Sequence, residues 1–175
     1  CSGPGFIGYG MMACNICDRL TLLDKFEPAV KIAEKTASNS FIKHGLDVKD
    51  PKTVYHRRVF PRTKIYHSDN LSVLPDDKID LVVGNPPHFE NEEDAIKSLS
   101  KMGSPVFNDH LRDIILDPNW DAHRDFFKQL STRLSDDGRI CLQLHSGGSD
   151  VDTFKPMVEE AGLRITARME SAQYQ

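Results

Sequence analysis

Short apolar runs punctuate the chain. Leu20–Asp24 reads LTLLD, Thr63–His67 TKIYH, Ile79–Gly84 IDLVVG, Arg139–His145 RICLQLH, and Leu163–Met169 LRITARM; each has the length and aliphatic or β-branched content of a strand. Between them the period changes to that of a helix. The glycine-rich stretch Cys1–Gly10 runs into a small-residue helix over Phe6–Asp18. Pro28–Asn39 begins with proline at a first helical position and offers Val30, Ile32, Ala33 and Ala37 as an inner face. Residues 121–134 place Phe126, Phe127, Leu130 and Leu134 in register with Asp121 as the cap, Ser135–Gly138 is a turn, and Val151–Ala161 is a helix closed by Gly162. Strands alternating with helices predict an α/β fold: a Rossmann-like, doubly wound, mostly parallel sheet with helices on both faces. The 175 residues suit one domain spanning 1–175.

Two insertions interrupt this rhythm. Residues 40–62 carry Lys43, Lys49, Lys52, Arg57, Arg58 and Arg62 against Asp47 and Asp50, whereas residues 90–120 open acidic at Glu90, Glu92, Glu93 and Asp94. Loops of this length are expected to serve a site. The net charge of −4 gives no global basic signature, so a nucleic-acid contact would need a local patch; Arg57, Arg58, Arg62 and Lys64 are the candidate. No apolar run approaches the roughly 20 residues of a membrane span. Four cysteines do not make a disulfide framework in a chain this long, and a soluble, cytoplasmic protein is expected. Cys14 and Cys17 have CxxC spacing without a second pair, and read as small buried helix residues. The histidines show no ligand-spaced set, so no metal is expected.

GNPPHF, residues 84–89, ends the Ile79–Gly84 run with two consecutive prolines, which fix two φ angles and remove two donors, so neither strand nor helix passes through. In doubly wound sheets ligands sit beyond the carboxyl ends of strands, and two further motifs fall at such ends. Gly3-Pro4-Gly5-Phe6-Ile7-Gly8 is a GxGxxG loop leading into a helix. Asp24 follows Gly5 by nineteen residues, the separation of a carboxylate that accepts ribose hydroxyls. Loop and acid together predict a nucleoside-containing cofactor without saying which. Asn85 and the Pro86 carbonyl are suited to accept the two hydrogens of a planar amino group, with His88 placed to stack on it.

With these residues in place the chain resembles the class I S-adenosylmethionine-dependent methyltransferases whose fourth strand ends in an NPPY-like motif. They methylate amino groups of nucleobases or the side-chain amide of glutamine. The resemblance runs through CSGPGFIG, LLD, HSDN, GNPPHF and DDGRICLQLH. It implies S-adenosyl-L-methionine held by Ser2, Gly3, Gly5 and Gly8, its ribose by Asp24, and its adenine by Lys25, Phe26, Asp69 and Asn70. Asn85, Pro86, Pro87 and His88 would hold the methyl acceptor, a protein or an RNA or DNA base, with Asn85 also touching the cofactor. Cys1 stands where the family usually has an acid, and His88 where Tyr or Phe is commoner. The family's first strand would precede Cys1 and its last would follow Met169, so a longer protein, an oligomer or a partner chain is implied. An NAD-dependent oxidoreductase and a non-catalytic cofactor-binding partner subunit are the competing readings.

Overall fold

A computed structural model describes residues 1–39, 41–46, 54–58, 62–75, 78–101 and 109–170. They divide into two compact units, Cys1–Pro75 and Asp76–Gln175.

The first unit contains α1 (Phe6–Ala13), β1 (Leu20–Asp24), α2 (Glu27–Asn39), β2 (Phe41–Leu46), β3 (Val54–Arg58) and β4 (Thr63–His67). β1 and β4 pair in parallel from Leu20↔Thr63 to Asp24↔His67, while β2 and β3 form an antiparallel ribbon. Tyr9, Leu22 and Ala33 make the core, packed by Leu20, Ala37 and Ile65, and the buried Tyr9 hydroxyl donates to the Ala33 carbonyl at 2.6 Å. Helix and strand meet closely because α1 starts on glycines. A Cβ at Gly5 would sit 2.7 Å from Leu22 Cδ1, and one at Gly8 2.8 Å from Leu20 Cδ1.

The second unit contains β5 (Ile79–Gly84), α3 (Glu92–Lys101), α4 (Asp109–Ile115), a 3-10 turn at Pro118–Trp120, α5 (Asp121–Ser131), β6 (Leu134–Leu142) and α6 (Val151–Glu160). β5 and β6 are parallel, ending in register at Gly84↔Leu142. Trp120, Phe127, Phe154, Met157 and Val158 form the core, with Phe126, Leu142, Leu144 and Leu163 against it. Asp150 starts α6 by accepting the Thr153 N–H at 2.9 Å. Gly162 ends it at φ 72°, as the sequence predicts.

The fold is thus mixed α/β with parallel pairing. Among the described residues, strand pairing within the first unit gives the parallel pair β1–β4 and within the second the parallel pair β5–β6. In the second pair Leu81 is 40% exposed and Cys141 is also exposed. No helix among the described residues is long and apolar enough to cross a membrane.

Several sequence expectations need correction. Residues 163–170 form no strand and are largely exposed, Met169 at 86%, and no described strand pairs with them. α1 stops at Ala13 because Asn15 takes a left-handed φ of 58°, leaving Cys14 exposed and Cys17 only half-buried. Ile32 is 50% exposed, since the α2 stripe runs through Ala29, Val30 and Ala33. Asp121 does not cap α5: Trp120 precedes the helix at φ 57°, and Asp117 accepts its first N–H groups instead. Ser135–Gly138 lies inside β6, where the register slips between Ile79↔Leu134 and Leu81↔Arg139. Both insertions hold regular structure, β2–β3 in one and α3 and α4 in the other. Within the basic insertion, Asp47, Lys49, Asp50 and Lys52 fall outside the described residues; Arg62 is paired with Asp18 at 3.0 Å.

Candidate functional site

In the first unit the candidate cofactor residues gather at the carboxyl end of β1. The Ser2 N–H donates to the Leu23 carbonyl at 2.9 Å, which lays the glycine loop along the strand end. Gly3 takes φ 54°, and its N–H donates to Asp24 Oδ2 at 2.7 Å. Asp24 Oδ1 accepts the Phe26 N–H at 2.9 Å. Asp24 is 8% exposed, so burial would be costly without these two donors, each of which leaves its oxygen a further lone pair. Gly3 has open space where a side chain would lie, with nothing within 4 Å of an added Cβ, whereas Gly5 and Gly8 turn theirs into Leu20, Leu22 and Tyr9. The loop therefore divides its glycines: Gly3 faces outward beside the carboxylate, and Gly5 and Gly8 admit β1.

β4 brings its own end to the same edge. The Ser68 N–H donates to the Asp24 carbonyl at 2.9 Å, and His67 Nε2 donates to the Lys25 carbonyl at 2.8 Å. Lys25 is exposed and Phe26 is 37% exposed, so an aromatic surface lies next to the carboxylate. Asp69 is exposed, and Asn70 turns the chain at φ 66° while its carbonyl accepts the Ser68 hydroxyl at 3.1 Å. A carboxylate with spare acceptor capacity, an open glycine and an exposed aromatic side chain fit the ribose and base of a nucleoside cofactor.

In the second unit the NPPH turn leaves β5 at Gly84. Pro87 is buried and Asn85 exposed. The N–H groups of His88 and Phe89 both donate to the Ile115 carbonyl, at 2.9 and 3.0 Å, and the Asp117 N–H donates to the Phe89 carbonyl at 2.8 Å. Phe89, 2% exposed, anchors the turn from below. Two fixed prolines and this three-bond clasp hold the turn in one conformation. The Asn85 amide and the Pro86 carbonyl have no hydrogen-bond partner among the described residues, so both are open to a ligand.

Behind the turn stand residues that the sequence pattern leaves without a role. The segment His145-Ser146-Gly147-Gly148-Ser149 follows β6, whose parallel pairing with β5 brings it beside NPPHF. The His145 ring centroid lies 5.8 Å from His88 and 5.3 Å from Phe89. Ser149 is fully buried, accepting the His145 N–H at 2.9 Å and lying 3.3 Å from His88 Nδ1. Gly148 must be glycine, since a Cβ there would overlap the His88 carbonyl and the Phe89 ring. Burial, and then the neighbouring His145 and His123, push the His88 pKa below its ordinary value, favouring the neutral ring. The legible signal was a polar, glycine-bearing segment after a strand parallel to the NPPH strand.

Asp117 and His123, both buried, complete this side. The Asp117 carboxylate accepts the N–H groups of Ala122 and His123 at 2.9 and 3.0 Å and contacts His123 Nδ1 at 2.5 Å. The His123 ring stacks on Phe154 with centroids 4.5 Å apart. No protein-family model, curated protein or solved structure matches this chain.

Proposed function

We propose that the protein is an S-adenosylmethionine-dependent N-methyltransferase acting on a planar amino or amide nitrogen, a glutamine side chain or a nucleic-acid base. The observation that carries the reading is the rigid turn on which the Asn85 amide and the Pro86 carbonyl have no hydrogen-bond partner among the described residues. A Rossmann-like sheet and a single methyltransferase domain belong to the same proposal, supported by the two parallel pairs.

Residues of the first unit would hold the cofactor: Asp24 the ribose hydroxyls, Gly3 with its loop the methionine side, and Phe26 with Lys25, Asp69 and Asn70 the adenine. S-adenosylmethionine, when bound, supplies an electrophilic methyl group on a sulfonium. Asn85 Oδ1 and the Pro86 carbonyl each accept one hydrogen of the target amino group, which fixes its plane. His88 flanks that plane. A planar nitrogen gains acidity as it is alkylated, so its proton can leave without a strong base, and positioning carries the rate.

Calorimetric titration with S-adenosylhomocysteine, with NAD as the control, tests the cofactor assignment. Binding that weakens in Asp24→Ala is expected; preference for NAD would favour an oxidoreductase. Asn85→Ala should remove most turnover and leave S-adenosylhomocysteine binding intact, and equal loss of both would contradict the acceptor role. Cofactor binding without turnover on any acceptor would identify a partner subunit.

A further inference from the structure

We infer that Ser149 positions His88 in the tautomer that carries its proton on Nε2, and that this N–H reads the acceptor atom next to the target amino nitrogen. The inference rests on the methyltransferase reading for its substrate and on geometry alone for its tautomer. A serine hydroxyl donates once. Ser149 Oγ already accepts the His145 N–H at 2.9 Å, and it has no contact with solvent, so its own proton needs a protein acceptor. Among the described residues the acceptor within reach is His88 Nδ1 at 3.3 Å. A ring nitrogen that accepts carries no proton, which leaves the proton on Nε2.

The neighbouring ring is fixed by the same logic. The Gly147 N–H donates to His145 Nδ1 at 3.0 Å, so His145 also carries its proton on Nε2. The HSGGS segment thus sets both imidazoles by contacts to Nδ1, one from a backbone N–H and one from a hydroxyl. His88 Nε2 has no partner among the described residues and is not sealed from solvent. It is a donor in search of an acceptor.

Planar amino groups supply one. In a carboxamide the amino group shares its carbon with a carbonyl oxygen, and in adenine or cytosine with a ring nitrogen. Asn85 and Pro86 recognise the donor half of this unit, the amino hydrogens, and His88 Nε2–H recognises the adjacent acceptor atom. His88 is then neither a general base nor only a stacking surface. The arrangement also excludes an ammonium group, which offers hydrogens but no acceptor.

The test is histidine nitrogen NMR on the full chain labelled with 15N-histidine, at a pH where His88 is uncharged. A pyridine-like Nδ1 and a pyrrole-like Nε2 for His88 are expected, and the opposite pattern overturns the inference whether or not the protein methylates anything. Ser149→Ala should mix the two tautomers; if that variant does not fold, the wild-type spectrum still decides. Titration with N-acetylglutamine amide, and separately with adenosine and cytidine, then reads the contact. A shift of the His88 Nε2–H signal with one of these supports the role and identifies the acceptor atom's source, while no shift with any of them overturns the acceptor contact. Absence of cofactor binding with the expected tautomer would sink the methyltransferase reading and leave the Ser149–His88 assignment standing.

Discussion

Asp117 holds His123 by its Nδ1 at 2.5 Å while its carboxylate also accepts the Ala122 and His123 N–H groups in the first turn of α5, so one buried acid caps a helix and orients a ring. The same residue ties the NPPHF turn through its own N–H to Phe89. Helix start, turn and core therefore depend on a single side chain and its backbone.

Removing that side chain leaves two helix N–H groups and a buried imidazole without their acceptor. Asp117→Ala should destabilise the second unit by roughly 3 to 5 kcal/mol, the range for breaking one partner of a buried pair, measured by urea unfolding. Burial raises the Asp117 pKa, but the hydrogen bonds from His123 and from the Ala122 and His123 N–H groups outweigh it, and the net position is below the ordinary carboxylate value. A folded pKa below the unfolded one stabilises fully above about pH 4 and loses that contribution as pH falls through the folded value. The stability gap between wild type and Asp117→Asn should accordingly narrow below about pH 4. A gap that stays constant into acid would show that the charge of Asp117 contributes nothing.

His88 titrates in the opposite chemical sense. Its folded pKa lies below the usual histidine value, chiefly through burial, so the neutral ring is favoured by the fold. Stability from this preference is present above about pH 6.5 and disappears as pH falls through the folded pKa. Protonation would also put a hydrogen on Nδ1 and remove the acceptor that Ser149 needs. Turnover should decline on the acid side at a pH below that of free imidazole, and the His88 Cε1 proton should titrate at the same midpoint in NMR. A midpoint at or above about 6.5 would contradict the burial argument.

β1, β4 and β5 were legible because each is a short apolar run ending in a turn or acid, and they begin and end where the pattern places them; β6 was legible only over Arg139–Leu142, since its Leu134 reads as the end of a helix and its Ser135–Gly138 as a turn. The glycine loop and Asp24 were legible because a fixed separation links them. Asp24 does receive Gly3 and Phe26 N–H groups at the end of its strand. The β2–β3 ribbon was missed because KHGLDVKD reads as charge and turn rather than alternation, and its pairing joins residues across a non-periodic gap. Asp121 looked like a cap because it directly precedes the apolar register of α5. The actual acceptor, Asp117, reaches the helix from across Pro118–Trp120, where Asn119 and Trp120 both take φ 57°. Leu163–Met169 has the alternation of a strand, but alternation alone does not supply a partner, and no described strand pairs with it. Ser149 and His145 gained meaning only once parallel pairing set HSGGS beside NPPHF.

Gly148 supplies the sharpest steric test of that juxtaposition. A methyl group at this position would overlap the His88 carbonyl and the Phe89 ring, and neither can yield: the carbonyl is backbone, and Phe89 is 2% exposed in a turn fixed by Ile115 and Asp117. Gly148→Ala should therefore push the 145–149 segment away from the turn, cost roughly 1 to 3 kcal/mol as overpacking does, and separate Ser149 from His88. Turnover should fall while S-adenosylhomocysteine binding stays within about twofold of wild type, because the residues assigned to the cofactor lie in the first unit. Gly10 is the matched control. It lies inside α1 with nothing within 4 Å of an added Cβ, so Gly10→Ala should stabilise by about 0.5 to 1 kcal/mol through the unfolded chain and leave turnover unchanged. Equal behaviour of the two variants in thermal unfolding and activity would mean that HSGGS does not press on the NPPHF turn, and the acceptor geometry would lose its support.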